Sequence, residues 1–247
     1  MTTQEVTLTP RLDSVPAGIG LVAPHDLALD RELWRWTPEP LALYVTRLPP
    51  LDVSVSTDMA EALRDEDALA EACREVSEAA PGVTAYLCTS ASFVAGLAGE
   101  AQLRAVMKRA GARRAITTSG ALLEALAALG VRRVAVATPY DAELTARLAA
   151  FVEEAGYEVV STGRLGLDSD IWRVSSASVR ELIGALPRRD AQAVLISCTN
   201  LPTYDALPVL EETTGLPVVS ANLATVWAAL RALDALPDDR PERLFNC

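Results

Sequence analysis

Short, unbroken apolar runs alternate along this chain with longer stretches whose apolar residues recur at helical spacing. The runs fall at 19–23 (IGLVA), 41–45, 83–87 and 114–117, then again at 134–137, 158–160, 193–197 and 217–220. Continuous rather than alternating apolarity predicts strands buried on both faces, as in a parallel sheet covered by helices. Between them, Asp58 with Glu61 three residues on resembles a capping box. It is expected to open a helix whose later face carries Leu69, Cys73 and Val76. Ser119 is placed to cap a helix with Leu122, Leu126 and Leu129 on one face and Gly130 at its end. Leu144, Leu148, Phe151 and Val152 share the face of a helix that stops at Gly156. A short helix with Pro208 in its first turn is expected between Asp205 and Gly215. Asn222 is expected to cap a last helix with the stripe Leu223, Val226, Trp227 and Leu230.

Strand and helix alternating in this way predict an α/β, doubly wound architecture. Two turns of similar composition, CTSASF at 88–93 and SCTNLPTYD at 197–205, occupy corresponding places in the two halves. The expectation is therefore two pseudo-symmetric lobes, each a parallel sheet flanked by helices, with the active site in the cleft between them. Residues 1–14 are expected to form a flexible tail. Residues 15–114 with 222–247 form lobe 1, on the Cys88 side, and 115–221 form lobe 2, on the Cys198 side.

Composition narrows the function. A net charge of −11 excludes a phosphate-backbone or anionic-membrane partner, since both require a basic face. No apolar run is long enough to span a bilayer. The N-terminus lacks the basic start and apolar core of a secretory signal, and the four cysteines read as cytoplasmic free thiols. With one histidine, no CxxC and no HExxH, a metal centre is not expected. A homo-oligomer is compatible with the sequence.

Two of the cysteines stand out. Cys73 lies on an apolar helix face, where a thiol packs as a small hydrophobe, and Cys247 is terminal. Cys88 and Cys198 instead follow strands directly, at the carboxyl ends outside which open α/β sheets bind ligands. Thr89 and Ser90 follow one, Thr199 and Asn200 the other, offering hydroxyls and free N–H groups. Such turns suit an anion and are expected to lower a nearby thiol's pKa, making each cysteine a candidate acid, base or nucleophile. Tyr140 also sits at a strand end, after Pro139.

CTSASF at 88–93, ATPY at 137–140, SCTNLPTYD at 197–205 and GLPVVSAN at 215–222 together resemble the Asp/Glu racemase superfamily. Cys-Thr-Ser in place of the amino-acid racemases' Cys-Asn-Thr is closer to the maleate cis-trans isomerase and arylmalonate decarboxylase branch. The resemblance runs from about Gly18 to Leu230. It implies a cofactor-independent enzyme acting on a small carboxylic acid, with one cysteine on each side of the substrate. By the resemblance to maleate isomerases, Cys88 is the nucleophile that adds to an alkene carbon and Cys198 the acid/base partner. Thr89 and Ser90 bind a carboxylate, with Tyr140 and the backbone near Thr199 and Asn200 assisting. The decarboxylases carry glycine at the first cysteine position and use the second as proton donor, so the presence of Cys88 fits the two-thiol isomerase or racemase chemistry better. A malonate-type decarboxylase using Cys198 is the alternative, and a non-catalytic carboxylate-binding protein on the same scaffold is a third reading. The loop after the first strand, APHDLALD at 23–30, lacks the asparagine of maleate isomerases and carries His25 and Asp26. Asp26 in the binding region repels a second carboxylate, so a substrate with one carboxylate and another polar group is expected.

Overall fold

The computed structural model describes residues 18–247; the expected tail at 1–14 lies outside the described residues. The first lobe contains strands β1 (Ile19–Ala23), β2 (Leu43–Arg47), β3 (Val83–Tyr86) and β4 (Ala115–Thr117). Its helices are α1 (Asp30–Trp36), α2 (Thr57–Ala62), α3 (Glu66–Ser77), α4 (Thr89–Phe93), α5 (Gly96–Arg109) and α6 (Thr118–Ala128). The second lobe contains β5 (Arg133–Thr138), β6 (Glu158–Arg164), β7 (Ala193–Ile196) and β8 (Val218–Ser220), with α7 (Ala142–Glu154), α8 (Ser176–Ala185) and α9 (Leu207–Thr214). The last long helix is α10 (Ala221–Ala232).

Each lobe is a four-stranded, all-parallel sheet, ordered β2-β1-β3-β4 and β6-β5-β7-β8, so the two repeat one topology. The two-lobed α/β fold expected from the sequence is the one observed. The unbroken apolar runs form the central strands because both faces are covered. Val194 and Leu195 are fully buried and Ile196 nearly so, each side chain contributing about 2 kcal/mol of burial. In both sheets the strand order reverses beside the first strand, between β1 and β3 and between β5 and β7. Ligands bind outside strand ends at such switch points. The residues leaving these four strands are the 24–28 loop, Cys88, Tyr140 and Cys198.

Several local expectations change. The helix expected from Asp58 is two helices. Ser56 accepts from the Met59 N–H at 3.2 Å to cap α2, and Asp65 accepts from the Ala68 N–H at 2.8 Å to start α3. Ser119 does not cap α6; Thr117 does, accepting from the Gly120 N–H at 3.0 Å. Asn222 does not cap α10; Ser220 does, accepting from the Leu223 N–H at 3.3 Å. In both cases an earlier hydroxyl at the strand end already has the extended backbone a cap requires. The lobe boundary drawn before residue 115 also moves. Ala115–Thr117 pairs with β3 and so completes the first sheet. Helix α10 packs against α6, α1 and β3, and touches β8 as well.

Candidate active site

The four strand ends converge on one small cavity with free space of about 30 Å³, room for only a water molecule or two. Its polar half is formed by Cys88, Thr89 and Ser90 from the first lobe and Tyr140, Cys198, Thr199 and Asn200 from the second. Its apolar half is Pro24, Val55, Met59, Leu63 and Ile171, and Asp26 stands at the margin. All eight candidate residues thus line one wall or another, and among the described residues no lysine or arginine does. Asp26, Val55, Met59, Ile171 and Asn200 also face an outer chamber of about 450 Å³ that contains His25. Over this chamber the Val55 N–H donates to the Asp168 carbonyl at 2.8 Å, joining the lobes.

Cys88 leaves β3 at the start of α4 and is almost fully buried, its sulfur 3.7 Å from Ser90 Oγ. Burial pushes its thiol up to about 11, against the Ala91 N–H and Ser90 hydroxyl, which favour the thiolate. Cys198 is half-buried and held at φ +88°, a left-handed conformation rare outside glycine. The Asn200 N–H donates to its sulfur at 3.4 Å. Burial pushes this thiol up to about 12, the Asn200 N–H and Tyr140 hydroxyl acting in the other direction. The lowered thiol pKa expected from the polar turns is therefore reversed. Desolvation outweighs a few N–H donors, no cation among the described residues lines the cavity, and Asp26 adds a like charge to both.

The donors around the thiols are neutral and fixed. Tyr140 is buried, its hydroxyl accepts from Ser197 Oγ at 3.2 Å, and its pKa is raised by burial, so it keeps its proton as a donor. Thr89 is 1% exposed, yet its hydroxyl has no hydrogen-bond partner among the described residues. Its carbonyl is pinned by the hydroxyls of Ser92 at 2.9 Å and Ser119 at 3.0 Å. A buried hydroxyl without a partner costs stability, and this one lies in the cavity wall beside Cys88. Asn200 is engaged differently. Its Oδ1 accepts from the Ala28 N–H at 2.9 Å, and its Nδ2 donates to the Asp26 carbonyl at 3.0 Å and to Asp26 Oδ2 at 3.3 Å. The Asn200 side chain thus ties the 24–28 loop to the Cys198 turn, and its N–H faces the thiol. His25 does not reach the inner cavity; it lines only the outer chamber.

Other residues around the cavity are not singled out as site residues by the sequence, although Ser92, Ser197 and Asn222 lie within CTSASF, SCTNLPTYD and GLPVVSAN. Ser92 and Ser119 hold the Thr89 carbonyl and Ser197 the Tyr140 hydroxyl, and Glu32 and Asn222 reach the Cys198 loop from α1 and α10. The one sequence signal for Glu32 is its place on the α1 face that buries Leu33 and Trp36.

Two parallel α/β lobes with a thiol from each, meeting at paired switch points, define a member of the Asp/Glu racemase superfamily in its maleate isomerase and arylmalonate decarboxylase branch. The family model for arylmalonate decarboxylase matches residues 52–242, and the chain belongs to that family. It is 35% identical to the arylmalonate decarboxylase of Bordetella bronchiseptica over 188 residues, which are 73% of this chain and 78% of that one. It is 31% identical to a maleate isomerase of Pseudomonas putida over 186 residues, 72% of this chain and 74% of that one. A double mutant of arylmalonate decarboxylase, solved in its liganded form, superposes with a TM-score of 0.83 at 32% identity, covering 93% of this chain and 99% of that one.

Proposed function

We propose that the protein is a cofactor-independent isomerase of two-cysteine racemase type, acting in the cytoplasm on a small acid. The observation that carries this reading is the pair Cys88 and Cys198 facing one cavity from different lobes, with the unpartnered Thr89 hydroxyl beside them. One carboxylate of the substrate accepts hydrogen bonds from Thr89, Tyr140 and the turn N–H groups. The apolar half of the cavity and Asp26 favour a remainder that is not a second carboxylate, which separates the expected substrate from maleate. One thiolate takes the proton from the carbon next to the carboxylate, and the electron pair moves into the carboxylate as an enediolate. The opposite thiol then delivers a proton to the other face. On an unsaturated acid the same pair would act differently, Cys88 sulfur bonding to one alkene carbon while Cys198 protonates its neighbour; rotation and reversal give the other isomer. Neutral donors already aimed at the oxyanion stabilise it without reorganisation.

Decarboxylation is the second reading, favoured by the raised thiol pKa values and the apolar wall. A malonate-type carboxylate pressed against Val55, Met59, Leu63 and Ile171 loses its water. The carbon–carbon bond then breaks, CO2 leaves, and the remaining enediolate takes its proton from the Cys198 thiol, which regains one from water. This path needs no thiolate in the free enzyme, whereas the isomerase path requires one. With a thiol at about 11, ionisation at neutral pH costs on the order of 5 kcal/mol.

Chiral 2-substituted acids, unsaturated acids and 2-substituted malonates, incubated in D2O with the wild type and Cys88→Gly, distinguish the two. Isomer interconversion with deuterium uptake, abolished in Cys88→Gly, is the expected result. CO2 release that survives in Cys88→Gly, without isomerisation by the wild type, would overturn it in favour of decarboxylation.

A further inference from the structure

Glu32 is a buried carboxylate that the chemistry above does not use. It is 7% exposed on α1 of the first lobe. Its Oε1 accepts from the Thr203 N–H at 2.7 Å, the Thr203 hydroxyl at 3.0 Å and the Tyr204 N–H. Its Oε2 accepts from Asn222 Nδ2 at 2.8 Å, and the same Nδ2 donates to the Thr199 carbonyl at 3.0 Å. The neighbouring guanidinium of Arg35 is paired with Asp205 at 2.8 Å rather than with Glu32. A buried carboxylate without a paired cation is costly and survives only where donors converge on it. Here the donors share one feature: directly or through Asn222, they hold both ends of the segment 199–204 that follows Cys198.

Lobe cohesion does not depend on this carboxylate, because one continuous apolar core already includes residues of both lobes and of α10. The Cys198 turn is different. Its residue sits at φ +88°, a backbone state that persists only where the surroundings impose it. Glu32 and Asn222 are the groups that hold the residues following it, Thr199, Thr203 and Tyr204. We propose that Glu32 is a positioning residue for Cys198, gripping Thr203 and Tyr204 directly and Thr199 through Asn222, so that the turn aims the thiol into the cavity. The inference rests on the reading of Cys198 as a working thiol.

The test is iodoacetamide alkylation of each cysteine in the full native chain, followed by peptide mass spectrometry, for the wild type, Glu32→Gln and Asn222→Ala. Glu32→Gln sets an amide N–H against Asn222 Nδ2, and Asn222→Ala removes the link to Thr199. Both variants are expected to alkylate Cys198 about tenfold faster, with Cys88 and the core Cys73 changed less than about twofold. An unchanged Cys198 rate overturns the proposal, as does a parallel rise at all three cysteines, which would mean general loosening. If Glu32→Gln does not fold, Asn222→Ala decides, since it leaves three of the four contacts to Glu32 in place. With a turned-over acid in hand, Glu32→Gln is expected to lower kcat by about tenfold or more, with KM moving less. Full turnover by Cys198→Ser would refute the catalytic reading alone, since the alkylation rates report the grip on the turn without any substrate.

Discussion

The Thr199 hydroxyl donates to the carbonyl oxygen of Leu87 at 3.2 Å, so the turn following one cysteine rests on the strand end preceding the other. The bond is buried and crosses between the lobes, so it directly links the segments that carry the two thiols. Thr199→Val keeps the volume and removes the donor. It is expected to cost about 1–3 kcal/mol, the penalty for stranding a buried partner, measured as a lower midpoint in urea with an unchanged slope.

Thr89 gives the opposite expectation. Its hydroxyl is buried and has no partner in the free protein, so Thr89→Val removes an unsatisfied group and leaves stability equal or slightly higher. Turnover should fall by about 10²–10³, the usual loss when one oxyanion donor is removed. Equal activity in the two proteins, compared at saturating substrate, would remove Thr89 from the binding role.

These two threonines also show what the sequence discloses. Both sit next to strand-end cysteines, and strand ends are legible because an apolar run stops abruptly at small polar residues. The runs at 19–23, 83–87 and 193–197 place three of the converging strand ends, and Tyr140 after an apolar run places the fourth. Glu32 and Asn222 are not legible in this way. Their contacts join residues 171 and 190 positions apart, and the only local hint at Glu32 is its place beside Leu33 and Trp36 on α1. The caps expected at Ser119 and Asn222 fall elsewhere for a related reason. Thr117 and Ser220 carry the same chemistry two residues earlier, and the strand's extended backbone selects them. The thiols' pKa values depend on burial, which local composition does not encode.

The pH–rate profile separates the two chemistries. A reaction that requires one thiolate and one thiol should speed up with pH, log rate rising with unit slope from neutrality toward about 11, where Cys88 ionises. A reaction that requires only the Cys198 thiol should be flat across that range and fall toward about 12. Stability follows from the same shifts. Both thiols are raised from an ordinary 9.0, so the folded state favours the protonated form. That contribution is complete below 9.0 and is lost as pH rises through 11 to 12. Urea midpoints should therefore fall with pH above 9.0, and Cys88→Ser should fall less steeply.

The backbone at Cys198 supplies a prediction in which stability and activity part. An L-residue at φ +88° carries a penalty of about 1–2 kcal/mol that glycine does not. The Asn200 N–H to sulfur contact at 3.4 Å is lost in both the glycine and the alanine variant and so does not enter their comparison. Cys198→Gly should therefore be about 1 kcal/mol more stable than Cys198→Ala in urea, although both lose the thiol and all turnover that needs it. The comparison with alanine isolates the backbone, because both substitutions delete the sulfur. If the alanine protein is as stable as the glycine protein, the turn has relaxed away from its left-handed conformation. Strain in the turn would then be set by the cysteine's own packing rather than imposed by the segment that Glu32 and Asn222 hold.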